Sequence, residues 1–423
     1  MNTRTKYASL AIAIALAAIA SFADAWQSKQ VDNVSALMDF DRNGVLQLEE
    51  VQPLMRMRFD ELDTDANGAL DRGEIARYIR QSIVDGIARK WRTKGLPEYP
   101  DARAIDRVAI QAALDEMVEV LELPGAVLLV GRNGVERLRI TSGEFTVGTV
   151  VPVASASKWV TSTVLMRLVE QGVLTLDAPL DRYVPELRGH WAKTTLEQLL
   201  NFSSGVGEGH ASEHVPSTPY KEQFKHLINA PVHNVPGAEF TYGGISMQIA
   251  GYVAEQASGK PWAQLFAELV AAPAAMKNSS YGHPLWHKPA TPVNSPNLAG
   301  GLYTNAQDYF NFLTAMDLNP TAQSLLTEDS VEQMESNHTS ALIQNFRPPI
   351  VEEDWFYGLG LWCEAPLPEG CTYVNSAGAF GAFPWMDRAS RTYGLLITLG
   401  PMPDVLPFAL NLRRMANQLV QLP

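Results

Sequence analysis

Runs of apolar and β-branched residues divide the chain into extended and helical stretches. The segment from Thr149 to Ala154 is rich in β-branched residues and predicts an extended strand. From Lys158 onward, apolar residues recur at helical spacing, which predicts a helix. Earlier in the chain, an apolar run from Leu123 ends in Asn133-Gly134, a turn typical of a β-hairpin. The pattern therefore predicts an early hairpin, followed by a strand that leads directly into a helix.

The start of the chain has a different apolar pattern. Arg4 and Lys6 precede a run of Leu, Ile and Ala from about Ala8 to Ala20, and small residues follow up to Ala25. This order predicts a secretory signal peptide over residues 1–25. The run is short for a membrane span, which needs about 20 residues, so we expect no stable membrane insertion. We therefore expect the mature protein to be secreted or periplasmic.

Oxygen-bearing residues recur at fixed positions in two twelve-residue segments, 39–50 and 63–74. A hard cation needs oxygen ligands at positions 1, 3 and 5, a backbone carbonyl at 7 and a bidentate carboxylate at 12. Glycine at position 6 permits the sharp turn. The candidate ligands are Asp39, Asp41, Asn43, Val45, Gln47 and Glu50 in the first segment, and Asp63, Asp65, Asn67, Ala69, Asp71 and Glu74 in the second.

Both segments resemble the calcium-binding loops of the EF-hand family. The resemblance implies an all-α pair of EF-hands over residues 26–88, with calcium as the cofactor and a helix from Val51 to Leu62 joining the loops. The alternative is a pair of solvated acidic turns. A stretch rich in charge, Pro and Gly follows and predicts a linker over residues 89–103, which leaves residues 104–423 for another domain.

Length and charge limit the classes of protein. A chain of 423 residues is too long for one typical core, so we expect two or more units. The net charge of −13 argues against nucleic acid or an anionic membrane as a partner. The sequence does not indicate the oligomeric state.

The chain has two cysteines, Cys363 and Cys371. They flank a turn-rich loop between two stretches that predict strands, Tyr357–Trp362 and Thr372–Asn375. In an oxidising compartment the simplest outcome is a disulfide across this hairpin, and a pair of free buried thiols is the alternative.

Ser155 and Lys158 lie three residues apart at the start of the predicted helix. Residues three apart share a helix face, so the lysine amine can reach the serine oxygen. A neighbouring base makes a serine hydroxyl nucleophilic, and a desolvated lysine can be that base. Taken alone, the pair is also compatible with a helix cap and a solvated lysine.

The segments after this pair resemble, in order, the serine β-lactamase, penicillin-binding protein and family VIII esterase group. They include the stretch from Gln171 to Glu186, the stretch from Thr195 to Val206 and the Gly-Gly-Leu turn at Gly300. The resemblance implies an α+β fold, in which an antiparallel sheet built from both chain ends carries helices on its faces. A helical subdomain is expected between the early and late strands.

The second motif of that group is Tyr-x-Asn, and it falls on Tyr242-Gly243-Gly244. The resemblance implies that Tyr242 shares protons with Ser155 and Lys158, whereas a lone tyrosine is ordinarily a packing residue. Gly244 stands where the group has an asparagine that binds an amide of the substrate, and glycine has no side-chain donor.

The third motif falls on Ser376-Ala377-Gly378. Ser376 replaces the cationic or imidazole residue of the group, and Gly378 lets substrate lie close to the strand. The resemblance also implies an oxyanion hole formed by the backbone N–H groups of Ser155 and Ala379.

Together these features predict a secreted serine hydrolase that forms an acyl-enzyme on Ser155, with Lys158 and Tyr242 as its general base pair. No catalytic cofactor is expected, and the expected partner is a small-molecule ester or amide. Loss of the asparagine and of the cation favours an esterase or related acyl hydrolase. The alternatives are a β-lactamase or D,D-peptidase, a catalytically weak protein that binds peptidoglycan or peptides, and a calcium-dependent interaction protein.

Overall fold

The computed structural model describes residues 43–47, 51, 59–78, 105–207, 218–282, 293–318, 324–348, 350–351, 354–367 and 370–422. The chain divides into two compact units, Met1–Trp91 and Arg92–Pro423. The predicted signal peptide and linker lie outside the described residues. Among the residues that are described, no helix is long and apolar enough to cross a membrane.

The described part of the first unit is built around a pair of two-residue strands. Strand β1 (Leu46–Gln47) pairs antiparallel with β2 (Ala69–Leu70), and Leu46 lies opposite Leu70. Both leucines are fully buried. Helix α1 (Phe59–Leu62) ends directly before the second predicted loop, and residues 72–78 are helical after it. Of the predicted helix from Val51 to Leu62, only Val51 and α1 are described.

The second unit contains strands at both ends of its sequence and helices mainly between them. In chain order its main described elements are α2 (Arg107–Val120), β3 (Gly125–Arg132), β4 (Val135–Gly143), β5 (Val151–Pro152), α3 (Ser157–Glu170), α4 (Gly189–Lys193), α5 (Leu196–Leu200), α6 (Tyr220–Leu227), β6 (Glu239–Thr241), α7 (Ile245–Ser258), α8 (Trp262–Phe266), β7 (Ser280–Tyr281), β8 (Leu302–Thr304), α9 (Ala306–Met316), α10 (Glu328–Glu335), β9 (Ile343–Phe346), β10 (Phe356–Tyr357), β11 (Trp362–Leu367), β12 (Gly370–Asn375), β13 (Phe383–Asp387), β14 (Thr392–Thr398) and α11 (Met402–Gln421).

The main sheet joins the two ends of this unit. Its seven described strands are antiparallel and follow the spatial order β10-β11-β12-β13-β14-β3-β4. The early hairpin β3–β4 therefore pairs with the last strand of the chain, β14. The expected α+β fold and the sheet built from both chain ends are confirmed.

The early hairpin turns at the predicted residues. Asn133 and Gly134 have φ of 54° and 76°, so both occupy the left-handed region that a two-residue type I′ turn requires. Asparagine tolerates this region better than most residues and glycine enters it freely, which explains why this pair closes the hairpin.

Alternate residues of β3 pack into two separate hydrophobic cores. Ala126, Leu128 and Val130 pack with α2 and α11 on one face of the sheet. Val127 and Leu129 face the opposite core, which includes α3 and the helices that follow it. Because successive side chains of a strand point to opposite faces, a strand covered on both sides needs this nearly continuous apolar sequence.

The strand predicted over Tyr357–Trp362 is wrong in its extent. Strand β10 ends at Tyr357, and β11 begins only at Trp362. Between them, Gly358 donates to the carbonyl of Leu361, and Gly360 has φ of 92°. A Cβ on Gly360 would lie 2.0 Å from Ser162 Oγ on α3, so the chain turns here against that helix.

The disulfide between Cys363 and Cys371 is present, with Cα atoms 5.5 Å apart. It joins β11 to β12 within one hairpin. The loop of this hairpin is shorter than the sequence pattern predicted, because β11 continues to Leu367 and β12 begins at Gly370.

Candidate active site

Ser155 lies on a short 3₁₀ turn, Ala154–Ala156, between β5 and α3. Ala154 has φ of 46°, an unfavourable backbone conformation for a residue with a Cβ. Ser157 stabilises this turn, since its hydroxyl donates to the Ala154 carbonyl at 2.6 Å and accepts from the N–H of Leu302 at 3.0 Å. The strained turn presents the half-buried Ser155 at the start of α3.

Lys158 is buried, with 3% of its surface exposed, and its amine reaches the predicted nucleophile. Nζ donates to Ser155 Oγ at 3.0 Å and to the backbone carbonyl of Ala299 at 2.9 Å. The same Nζ lies 4.7 Å from the centroid of the Tyr242 ring. The amine is thus held at one place by a hydroxyl, a carbonyl and an aromatic face.

Tyr242 follows β6 and is held by other aromatic rings. Its ring stacks on Trp362 at a centroid distance of 5.5 Å, while Phe202 and Tyr357 contact it edge-on. The structure therefore brings Tyr242 to Lys158, as the sequence predicted. The contact runs through the ring, because among the described residues the Tyr242 hydroxyl forms no hydrogen bond.

Tyr357 was not predicted as part of this site. It is 1% exposed, and its hydroxyl has no hydrogen-bond partner among the described residues. Burial raises the pKa of Tyr357 well above its ordinary range, and the neighbouring Tyr242 raises it further. Tyr357 therefore remains a neutral phenol beside the predicted general base. No sequence signal marks it, because its position beside Tyr242 depends on packing against rings far away in the chain.

The third predicted motif lies directly beside the nucleophile. Ser376 Oγ donates to the backbone carbonyl of Ser155 at 3.0 Å. A Cβ at position 378 would lie 2.0 Å from the Val153 carbonyl oxygen, so only glycine permits this approach. Ala379 is exposed in the following turn, and its N–H forms no hydrogen bond within the part of the chain described.

Gly244 is the N-cap residue directly before α7, two residues after Tyr242. It is half-buried and its carbonyl accepts from the N–H of Gln248, a bond of the first turn of α7. The predicted residues Ser155, Tyr242 and Ser376 therefore lie close together around the start of α3.

Two tyrosines anchor the back of α3, of which Tyr309 is fully buried and Tyr281 is half-buried. Tyr309 donates to the Ala156 carbonyl at 2.8 Å, and the Tyr281 hydroxyl lies 2.7 Å from Thr161 Oγ1 and 3.3 Å from the Ser157 carbonyl. Burial raises the pKa of both phenols, so they remain protonated donors. These contacts were not predicted, because they join residues at least 120 positions apart in the chain.

The second predicted calcium loop brings three carboxylates together in the first unit. One oxygen each of Asp63, Asp65 and Glu74 lies within 4.8 Å of the others. Asp63 accepts from the N–H groups of Asn67 and Gly68, and Gly68 has φ of 82°. The donor set is all oxygen, which fits a hard divalent cation.

The remaining predicted ligands are less completely described. In the second loop, Asn67 Oδ1 accepts from the N–H of Ala69, and Asp71 Oδ1 accepts from the N–H of Glu74. In the first loop, Asn43 Oδ1 accepts from the N–H of Val45, and Gln47 pairs with Ala69. Its other predicted ligands, Asp39, Asp41 and Glu50, lie outside the described residues.

A serine hydrogen-bonded to a buried lysine, set between an antiparallel sheet and a helical layer, is the arrangement expected of a serine hydrolase. The family model described as Beta-lactamase matches residues 110–407, and the chain belongs to that family. The site residues Ser155, Lys158, Tyr242 and Gly378 all lie within the matched range.

Two curated relatives share parts of this unit. Esterase EstB of Burkholderia gladioli is 29% identical over 213 residues, which cover 43% of this chain and 54% of the relative. The D-alanyl-D-alanine-carboxypeptidase/endopeptidase AmpH of Escherichia coli (strain K12) is 30% identical over 186 residues, or 39% of this chain and 48% of the relative. The chain spans about half the length of the curated relatives it matches.

A solved structure supports the fold over a longer stretch. A protein from Bacteroides dorei DSM 17855 aligns with a TM-score of 0.65 and 26% identity, covering 74% of this chain and 100% of that one. The similarity extends the fold assignment beyond the stretches shared with the curated relatives.

Proposed function

We propose that the protein is an exported serine hydrolase that cleaves small-molecule esters, or related acyl compounds, through an acyl-enzyme on Ser155. The observation that carries this proposal is the 3.0 Å hydrogen bond between Lys158 Nζ and Ser155 Oγ in a buried setting. The similarity to an esterase supports the choice of substrate class. The disulfide between Cys363 and Cys371 supports export, because such bonds persist in oxidising compartments.

In the acylation step, Lys158 accepts the Ser155 proton while Oγ attacks the carbonyl carbon of the ester. The bond from that carbon to the leaving oxygen breaks, and Lys158 with Tyr242 returns the proton to the departing alkoxide. The backbone N–H groups of Ser155 and Ala379 stabilise the charge on the carbonyl oxygen. Ala379 is exposed, and its N–H has no hydrogen-bond partner among the described residues, which supports this role.

In the deacylation step, a water molecule attacks the acyl carbon, and the Lys158 and Tyr242 pair accepts its proton. The bond between the acyl carbon and Oγ breaks, the carboxylic acid leaves, and Ser155 regains its proton. Lys158 is 3% exposed and its amine lies over the Tyr242 ring, so the base is shielded from bulk water between these steps.

Two departures from the group's motifs favour esters over substrates that carry an amide and a carboxylate. Gly244 offers no side-chain donor for a substrate amide. Ser376 offers no positive charge, and its hydroxyl proton is committed to the Ser155 carbonyl. Positions 244 and 376 therefore do not supply the two substrate contacts that the asparagine and the cation of the group would make.

A panel of chromogenic substrates tests the proposal. The full chain is assayed with p-nitrophenyl esters of graded acyl length, a chromogenic β-lactam and a D-alanyl peptide, beside its Ser155→Ala variant. We expect ester turnover that requires Ser155 and little turnover of the other two. Robust hydrolysis of the lactam or the peptide would instead favour the second candidate function, a β-lactamase or D,D-peptidase. The similarity to AmpH supports this second candidate. Labelling of Ser155 by a fluorophosphonate without any turnover would favour a binding protein for peptidoglycan or peptides.

We further propose that residues 39–50 and 63–74 each bind calcium as an EF-hand pair with a stabilising role. The convergence of Asp63, Asp65 and Glu74 supports the second site. The antiparallel pairing of β1 with β2 supports the pair, because it joins equivalent positions of the two loops, Leu46 and Leu70. Bound calcium would supply a positive charge beside the clustered carboxylates, which contribute only negative charge.

A further inference from the structure

An ion pair is buried on the face of the main sheet that α11 covers. Arg413 on α11 donates to both carboxylate oxygens of Glu364 on β11, at 2.6 and 2.8 Å. Glu364 is 4% exposed and Arg413 is 9% exposed. The guanidinium lies 4.2 Å from the centroid of the Tyr373 ring, which covers it from the side. Both charges are therefore removed from water.

Stability alone does not explain such a pair. Two charges lose their hydration on burial, and well-packed apolar side chains of similar volume serve a core as well or better. A buried, paired charge does, however, fix the orientation of any polar group bonded to it, because the bond is strong and directional. The ion pair of Arg413 and Glu364 therefore orients the polar group that is hydrogen-bonded to it.

That group is Asn375, the last residue of β12, which is fully buried. Its Nδ2 donates to Glu364 Oε1 at 2.7 Å, and its Oδ1 accepts from the backbone N–H of Ala377 at 3.2 Å. A carboxylate only accepts and a backbone N–H only donates, so a single orientation of the amide satisfies both. Glu364 therefore determines where Asn375 holds Ala377.

Ala377 lies in the turn that faces the nucleophile. The residue before it, Ser376, donates to the Ser155 carbonyl, and the residue after it, Gly378, packs against the Val153 carbonyl. Ala379 follows, and within the described part of the chain its N–H forms no hydrogen bond. A continuous series of contacts thus runs from Arg413 through Glu364 and Asn375 to the turn that adjoins Ser155.

We propose that Arg413, Glu364 and Asn375 are positioning residues, which set the turn of residues 376–379 at the distance from Ser155 that oxyanion stabilisation requires. The inference rests on the proposed function, since it assigns the Ala379 N–H to the substrate oxyanion. None of the three touches the reacting atoms. They act through the backbone of the turn.

The test compares kinetics and folding for variants of the full chain. Asn375→Ala removes the orienting amide, and the double variant Glu364→Leu with Arg413→Met replaces the charges by an apolar pair that still fills the space. With a p-nitrophenyl ester, we expect each to lower kcat by about 10-fold to 100-fold while KM changes by less than about 2-fold, because only transition-state contacts are misplaced. The combined triple variant is expected to fall no further, since all three residues act in one series.

A conservative variant of Glu364 distinguishes the effect of its negative charge from its hydrogen bond to Asn375. Glu364→Gln keeps an oxygen that accepts from Asn375, so we expect its kcat to stay within about 3-fold of the wild type. If the double variant fails to fold, Asn375→Ala and Glu364→Gln still test the proposal, because each leaves Arg413 in place.

A matched control lies at the other end of β13. Arg391 and Asp317 form a partly buried ion pair at 2.9 Å beside the turn between β13 and β14, whereas residues 376–382 precede β13. We expect Asp317→Leu with Arg391→Met to lower the melting temperature but to leave kcat unchanged.

The inference would be overturned if Asn375→Ala and the double variant of Glu364 and Arg413 had normal kcat and only a lower melting temperature. That result would leave the proposed function intact. A wild-type chain with neither ester turnover nor Ser155 labelling would overturn the proposed function itself.

Discussion

The second predicted calcium loop and the active site assemble their chemistry in opposite ways. Asp63, Asp65 and Glu74 converge within a single twelve-residue segment, and local backbone bonds hold them there. The active site joins groups far apart in the chain, since Lys158 bonds to a carbonyl 141 residues away and Ser376 bonds to one 221 residues away. The loop is therefore sensitive to changes at its own positions, whereas the active site also depends on the sheet and helices that bring its parts together.

The largest expected effect comes from the nucleophile. Ser155→Ala removes the reacting oxygen, so we expect ester turnover to fall by about 10⁴-fold or more, with little change in melting temperature. The matched control is Ser162→Ala on the same helix, because Ser162 Oγ is buried without a hydrogen-bond partner among the described residues. Turnover that survives in Ser155→Ala would place the nucleophile elsewhere.

The next effect tests whether Lys158 acts as a base. Lys158→Arg keeps a positive charge, but a guanidinium does not give up its proton in proteins, so we expect kcat to fall by about 10³-fold. Steady-state kinetics with a p-nitrophenyl ester measure the change. Lys225→Arg, in an exposed ion pair with Glu222, serves as the control. Activity within about 10-fold of the wild type would mean that Lys158 contributes charge alone.

A smaller effect distinguishes the hydroxyl of Tyr242 from its ring. Tyr242→Phe keeps the ring stacked on Trp362 and over Lys158 but removes the phenol, so a proton-transfer role predicts a loss in kcat of about 10²-fold. Tyr357→Phe is the control, because it deletes a neighbouring hydroxyl that has no hydrogen-bond partner in the described parts of the chain. Equal kcat in the two variants would show that Tyr242 acts by packing against Lys158.

The smallest expected effect is that of calcium binding at the two predicted calcium loops. Calcium at about 100 times its Kd would stabilise the folded first unit by about 2.7 kcal/mol, so we expect a higher melting temperature with calcium than with a chelator. Asp63→Ala should remove part of this gain, and Asp39→Ala with Asp63→Ala should remove it all. Asp60→Ala, an exposed carboxylate just before the loop, should leave the gain unchanged. Identical melting curves with calcium and with chelator would contradict the calcium proposal.

The sequence predicted the local features of this chain because their causes are local. The hairpin turn follows from the backbone freedom of Asn133 and Gly134, and the reach of Lys158 to Ser155 follows from helical spacing. The strand over Tyr357–Trp362 was predicted wrongly, because a run of apolar residues does not reveal that Gly360 turns against Ser162 of α3.

Other parts of the site depended wholly on the tertiary structure. The Ala299 carbonyl, the Tyr357 phenol and the series from Arg413 to Ala377 have no sequence signature. Each acquires its role only from neighbours that distant elements supply.

The sequence by itself determined which residues bear reactive or ligating groups and which of them lie within one helical turn or one loop of each other. Only the tertiary structure decided which distant groups meet Ser155 and in what orientation. The physical reason is that helical and loop geometry fix distances over a few residues. Distances across hundreds of residues are fixed by the pairing of β14 with β3 and by the packing of helices on both faces of the sheet.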